Sequence, residues 1–67
     1  RKELSSARRE GELAPVLARV QRESTDVAIG SYPVCEAGCW HVRVVLRGGD
    51  PARVAAVADA LREHLEP

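Results

Sequence analysis

The sequence predicts a small α+β fold in the order β-α-β-β-α, and three observations predict it. Residues 39–47 alternate cleanly, with Trp40, Val42, Val44 and Leu46 on one face and His41, Arg43, Val45 and Arg47 on the other. One apolar and one mostly polar face is the pattern of a strand covered on a single side. Residues 27–33 form a second short apolar run, which is expected to stop at Pro33 because proline offers the ladder no N–H. The segments before and after this pair carry helical periodicity with one apolar stripe each, and the paired strands are the surface those stripes need.

The chain has 67 residues, enough for one small domain that buries only about 60% of its unfolded surface. At 45% apolar and 30% charged residues it is globular rather than disordered. With one Trp, one Tyr and neither Phe nor Met, the core has to come from Leu, Val, Ile and Ala. Ten basic and ten acidic side chains cancel, so no global field points to a nucleic acid or a membrane surface. The start leans positive (Arg1, Lys2, Arg8, Arg9) and the end negative (Asp59, Glu63, Glu66), a bias expected of solvated faces. No apolar run approaches the about 18 residues of a membrane span, and no segment of this sequence is expected to act as a signal peptide. The lack of any methionine leads us to expect a fragment of a longer protein.

In chain order, residues 2–9 alternate weakly and suggest a polar edge strand whose charges discourage foreign pairing. Residues 12–23 are helical, with Leu13, Val16, Leu17 and Val20 on one stripe. Pro15 fits if this helix begins at Glu12 or Leu13, where first-turn N–H groups have no intrahelical partner. Glu10 and Glu12 then sit favourably near the positive helix end. Ser24-Thr25-Asp26 ends the helix. Gly48-Gly49-Asp50-Pro51 opens the second helix, with Asp50 as N-cap and Pro51 at the first helical position. That helix runs to about Leu65 with Val54, Val57, Ala58, Leu61 and Leu65 on its stripe, and Arg53, Arg62 and Glu66 elsewhere. A right-handed crossover sets strand one beside strand three, giving an antiparallel sheet of order 1-3-2 with both helices on one face. This is a ferredoxin-like architecture without its last strand, in the company of KH-like modules. The expected core joins Val27, Ile29, Trp40, Val42, Val44 and Leu46 to both helical stripes.

A set of short matches runs in order through nearly the whole chain: Lys2-Glu3-Leu4, Glu10, Leu13-Ala14-Pro15-Val16-Leu17, Gly30-Ser31-Tyr32-Pro33 and Leu46-Arg47-Gly48-Gly49-Asp50-Pro51. In this the chain resembles the segment that follows the molybdopterin-binding-type domain in competence/damage-inducible protein A and in eukaryotic FAD synthase. The resemblance implies a KH-like accessory domain of a cytoplasmic nucleotide-handling protein, packed on that neighbouring domain and supporting dimerisation or substrate placement. In those families the pyrophosphatase or cofactor chemistry lies in other domains, so it implies no catalytic residue and no cofactor here. Ser5-Ser6 departs from the apolar residues the family carries in its first strand. Cys35-Glu36-Ala37-Gly38-Cys39 fills the family's variable loop, so nothing about the cysteines carries over.

Several residues invite a site. Cys35, Cys39 and His41 form a C-x3-C-x-H cluster, but zinc wants three or four ligands and only the distant His64 could supply another. Two free thiols in a hairpin turn is the favoured reading, ahead of a disulfide and then a metal. Gly48-Gly49-Asp50 could hold an anion at a helix start, but it lacks phosphate-loop spacing and Asp50 would repel one, so a glycine turn into a capped helix is favoured. His41, Arg43 and Arg47, at alternate positions about 7 Å apart, form a possible platform for phosphates or an acidic partner. A solvated sheet face is the simpler alternative. Gly30, inside a strand, marks a bulge or a close approach by a helix or a neighbouring domain. Tyr32 and Pro33 close that strand. No nucleophile–base pair can be assembled, and the Gly-x-x-Gly clamp of a nucleic-acid-binding KH module is absent. An autonomous enzyme is not expected, and the function the resemblance implies is that of a non-catalytic accessory domain. A weak nucleic-acid-binding module using the Arg43 and Arg47 face is the alternative.

Overall fold

The computed structural model describes residues 1–65. It contains β1 (Lys2–Ser6), α1 (Glu10–Glu23), β2 (Ala28–Glu36), β3 (Cys39–Arg47) and α2 (Pro51–Leu65). The three strands make one antiparallel sheet in the order β1-β3-β2. Register places Leu4 opposite Val44 and Ile29 opposite Leu46, so these residues share the face on which both helices lie. Leu13 and Leu17 of α1 and Val54, Val57, Ala58, Leu61 and Leu65 of α2 close over Val27, Val42, Val44 and Leu46 there. Leu4, Val16, Val20 and Ile29 pack at its margin. Each helix contributes its apolar stripe and leaves its charged side in water, which is why the alternation in β3 and the 3.6-residue period of the helices fit one core.

Three boundaries differ from the sequence expectation, each for a physical reason. β2 does not stop at Pro33 but continues to Glu36, with Pro33 opposite Val42. The Ile29 N–H already points away from β3, to Gln21, and the two-residue strand period turns position 33 the same way. The N–H that Pro33 lacks would therefore have faced the open edge, where proline is tolerated. The hairpin then closes over two residues, Ala37 (φ 51°) and Gly38 (φ 79°), the left-handed pair of a tight turn between twisted strands.

α1 starts at Glu10, two residues earlier than expected, with Arg9 as an N-cap that makes no side-chain cap bond. Pro15 therefore lies past the first turn, where it deprives the Gly11 carbonyl of its partner. Gly11 and Pro15 are both exposed, so water can serve that carbonyl. β1 is shorter than residues 2–9 because Ser6 has other work. Its hydroxyl donates to the Leu65 carbonyl and accepts from the Arg8 N–H at 3.1 Å, serving an orphan carbonyl at the end of α2. A serine thus stands in place of an apolar residue because it ties β1 to α2. Glu66, expected on the polar side of α2, lies outside the described residues.

Trp40 is the fourth correction. It keeps the alternation of Val42, Val44 and Leu46, yet it is 70% exposed and lies outside the core. It stands at the turn end of β3, two residues beyond Val42, where the buried cluster on that strand ends, so the face is right but the core does not reach it.

The connections are held by polar contacts. Asp50 Oδ1 accepts from the Ala52 N–H at 3.0 Å, and the Asp50 carbonyl accepts from the Val54 N–H at 3.1 Å, starting α2 just before Pro51. Arg53 grips Asp26 bidentately, at 2.7 and 3.2 Å, joining the α1–β2 connection to the first turn of α2. Gly48 is the most tightly enclosed of the glycines. A Cβ there would lie 2.9 Å from Val54 Cγ2 and 3.1 Å from the Asp26 carbonyl oxygen.

Candidate interaction face

The face of the sheet opposite the helices is built from odd positions of β1 and β3 and even positions of β2. Glu3, Ser5, His41, Arg43, Val45, Arg47, Ala28, Gly30, Tyr32, Val34 and Glu36 occupy it by register. It is not the cationic platform that His41, Arg43 and Arg47 alone suggest. Arg43 lies 3.8 Å from Glu3 and 3.5 Å from Glu36, and His41 lies 3.7 Å from Glu36. Arg1 adds a further contact to Glu3 at 3.5 Å. Register puts these groups on one face, and side-chain length does the rest: Glu3 stands opposite Val45 and Glu36 opposite Cys39, and both carboxylates reach diagonally along β3. Arg47 differs, since it makes no ion pair among the described residues.

Beside Arg47 the face sinks into a hollow of about 210 Å³, lined by Ala28, Ile29, Gly30, Tyr32, Val45 and Arg47. Its cause is local. Ala28 and Gly30 carry almost no side chain, so the sheet surface between Tyr32 and Arg47 is bare. The Tyr32 ring leans back over Gly30, with its hydroxyl oxygen 3.4 Å from where a Cβ would stand. Gly30 thus makes room for an aromatic ring on the open face. Among the described residues no helix makes the close approach expected from a helix or a neighbouring domain; the nearest group to Gly30 is Tyr32, two residues along the same strand. Val45 is only 4% exposed although no helix covers this face. Tyr32 itself is 52% exposed.

A second groove, about 240 Å³, lies on the other side of the hairpin between Trp40, Pro33 and Val42 and the β1–α1 connection at Ala7, Arg8 and Arg9, with Glu10 at the start of α1. Both aromatic residues of the chain therefore stand at the surface, on opposite sides of one hairpin.

The cysteines do not converge with His41. Cys35 pairs with Trp40 and shares the helix-side face, whereas Cys39 and His41 belong to the open face. Both thiols are free and exposed. Among the described residues no cluster of His, Cys, Asp and Glu is arranged to hold a metal ion. The clear electrostatic perturbation lies away from this face. The Arg53 guanidinium hydrogen-bonded to Asp26 holds that carboxyl below its usual value, and Asp26 in turn raises Arg53.

Gln21, Glu3 and Glu36 are the contributors that sequence reasoning missed. Gln21 donates from Nε2 to the carbonyls of Ser24 (3.2 Å) and Val27 (2.7 Å) and accepts from the Ile29 N–H at 2.8 Å, which covers the start of the β2 edge. A polar residue at the end of an amphipathic stripe was the available signal, but nothing in the sequence aims it at a strand.

Comparison with known proteins decides the family. The model of the FAD synthase middle domain matches residues 1–67, the whole chain. The chain belongs to that family. Its description as a middle domain implies neighbouring domains in the parent chain. No curated protein and no solved structure matches the chain.

Proposed function

We propose that this FAD synthase middle domain is a non-catalytic module that seats its open sheet face on a neighbouring domain of an FAD-synthase-like parent and supports it. The observation that carries the proposal is the helix-free face itself. It has an apolar hollow with a half-exposed tyrosine beside it, in a family described as a middle domain. Large side chains left in water beside an apolar depression are the usual mark of a contact surface. The same proposal includes a KH-like character, kinship with competence/damage-inducible protein A and a molybdopterin-binding-type neighbour in a cytoplasmic protein. These rest on the Gly30-Ser31-Tyr32-Pro33 and Lys2-Glu3-Leu4 matches. Pairing of Arg43 with two carboxylates argues against a phosphate-binding face.

Calorimetry of the intact parent tests the proposal. A docked middle domain should unfold in one transition with its neighbour, and variants that weaken the face should split that transition. An independent transition already present in the wild-type parent would overturn the proposal. RNA binding that weakens steeply with salt would replace it with the nucleic-acid reading.

A further inference from the structure

We propose that the hollow between Tyr32 and Arg47 receives one apolar side chain of the neighbouring domain, and that Arg47 pairs with a carboxylate presented beside it. This rests on the docking proposed above and specifies its chemistry. The register sets Ala28 beside Arg47, Gly30 beside Val45 and Tyr32 beside Arg43, three successive rungs of the same face. The first two rungs supply a floor of Ala28, Gly30 and Val45, the third supplies an aromatic wall, and Arg47 forms the opposite rim. At about 210 Å³ the hollow is smaller than the roughly 300–1,000 Å³ of small-molecule sites, which suits a protein side chain better than a cofactor.

Charge identifies what accompanies that side chain. The face carries its own acids for its other arginine, since Glu3 and Glu36 both meet Arg43. Arg47 has no such acid among the described residues, although it borders the apolar floor. A guanidinium at the rim of an apolar depression is suited to bidentate recognition of a carboxylate that arrives with the apolar group. Such a rim pair sets partner choice and orientation more than it sets bulk affinity.

The test is hydroxyl-radical labelling of the intact parent, read at Tyr32, with Trp40 on the other side of the hairpin as an internal reference. Two surface variants are compared with wild type: Ala28→Arg, which fills the hollow, and Arg47→Glu, which reverses the rim charge. We expect both to raise Tyr32 labelling relative to Trp40 by about threefold or more, with Arg47→Lys staying close to wild type. If Ala28→Arg raises labelling and Arg47→Glu does not, the neighbour sits on this face without the carboxylate, and this inference is overturned alone. If neither variant changes Tyr32, no neighbour covers the hollow, and the docking proposal is overturned with it.

Discussion

The carboxamide of Gln21 sits against β2 where another strand would pair, accepting from the Ile29 N–H at 2.8 Å and donating to the Val27 carbonyl at 2.7 Å. One side chain from α1 thereby satisfies two backbone groups at the outer edge of the sheet. Gln21→Ala should cost about 1–3 kcal/mol, because both groups lose a partner in a half-buried place. Gln21→Glu should also destabilise, since a carboxylate can accept from Ile29 but cannot donate to Val27. Urea midpoints of the two variants check this. Midpoints equal to wild type would mean that water replaces the amide at no cost.

The Asp26–Arg53 pair gives the fold an acid dependence whose sign follows from its shift. Asp26 titrates below its ordinary value of 3.8 in the folded chain, mainly through its hydrogen bond to Arg53. The stabilisation is therefore complete above the unfolded-state pKa and disappears as pH falls through the lower folded-state value. Asp26→Asn should remove this component, leaving a shallower loss of stability in acid while lowering stability at neutral pH. Denaturation midpoints across the acid range measure it, and parallel curves for wild type and variant would sink the prediction.

Two glycines should respond in opposite ways to the same change. Gly48→Ala drives a methyl to 2.9 Å from Val54 and 3.1 Å from a backbone oxygen, so we expect a loss of about 1–3 kcal/mol. Gly30→Ala meets only the Tyr32 ring at 3.4 Å or more, an ordinary contact, and should stay within about 0.5 kcal/mol of wild type. Thermal melts of both variants decide the point. Gly30→Ala melting as low as Gly48→Ala would contradict the geometry.

Ala37 holds a positive φ of 51° in the hairpin turn, a conformation that costs a Cβ-bearing residue about 1–2 kcal/mol. Ala37→Asn creates the Asn-Gly sequence that such a turn favours. A gain of up to about 1 kcal/mol is expected, visible as a raised urea midpoint. A drop would show that the turn prefers another geometry.

Trp40 should fluoresce as a solvent-exposed indole in this chain and be readily quenched by iodide. A blue-shifted, protected emission would contradict its 70% exposure.

The element order, the sheet order and nearly all of the core were readable because they depend on period. Val42, Val44 and Leu46 repeat every two residues, and the helical stripes repeat at three and four. What depends on where an element stops relative to its neighbours was not readable. Trp40 has the parity of a core residue, but only the three-dimensional structure reveals that the buried cluster on its strand ends at Val42. Pro33 signals a strand end unless one knows which side of the strand its nitrogen faces. On the open face, Arg43 and His41 looked free because the acids that meet them, Glu3 and Glu36, are distant in sequence or lie across a turn. Gly30 was recognisable as special, but its partner, the ring two residues on, depends on a side-chain direction that no pattern encodes.

The position of β3 between its two partners has a consequence for how the chain assembles. β2 and β3 meet across two residues, so their pairing can form locally and early. β1 joins the same central strand only when Leu4 finds Val44, forty positions away. That contact closes a long loop before it is rewarded, which makes it a natural late step. Until it forms, that side of β3 is an unpaired row of backbone donors and acceptors, open to pairing with other chains. The charged, five-residue β1 is then more than the margin of the sheet: its arrival closes that side of the central strand.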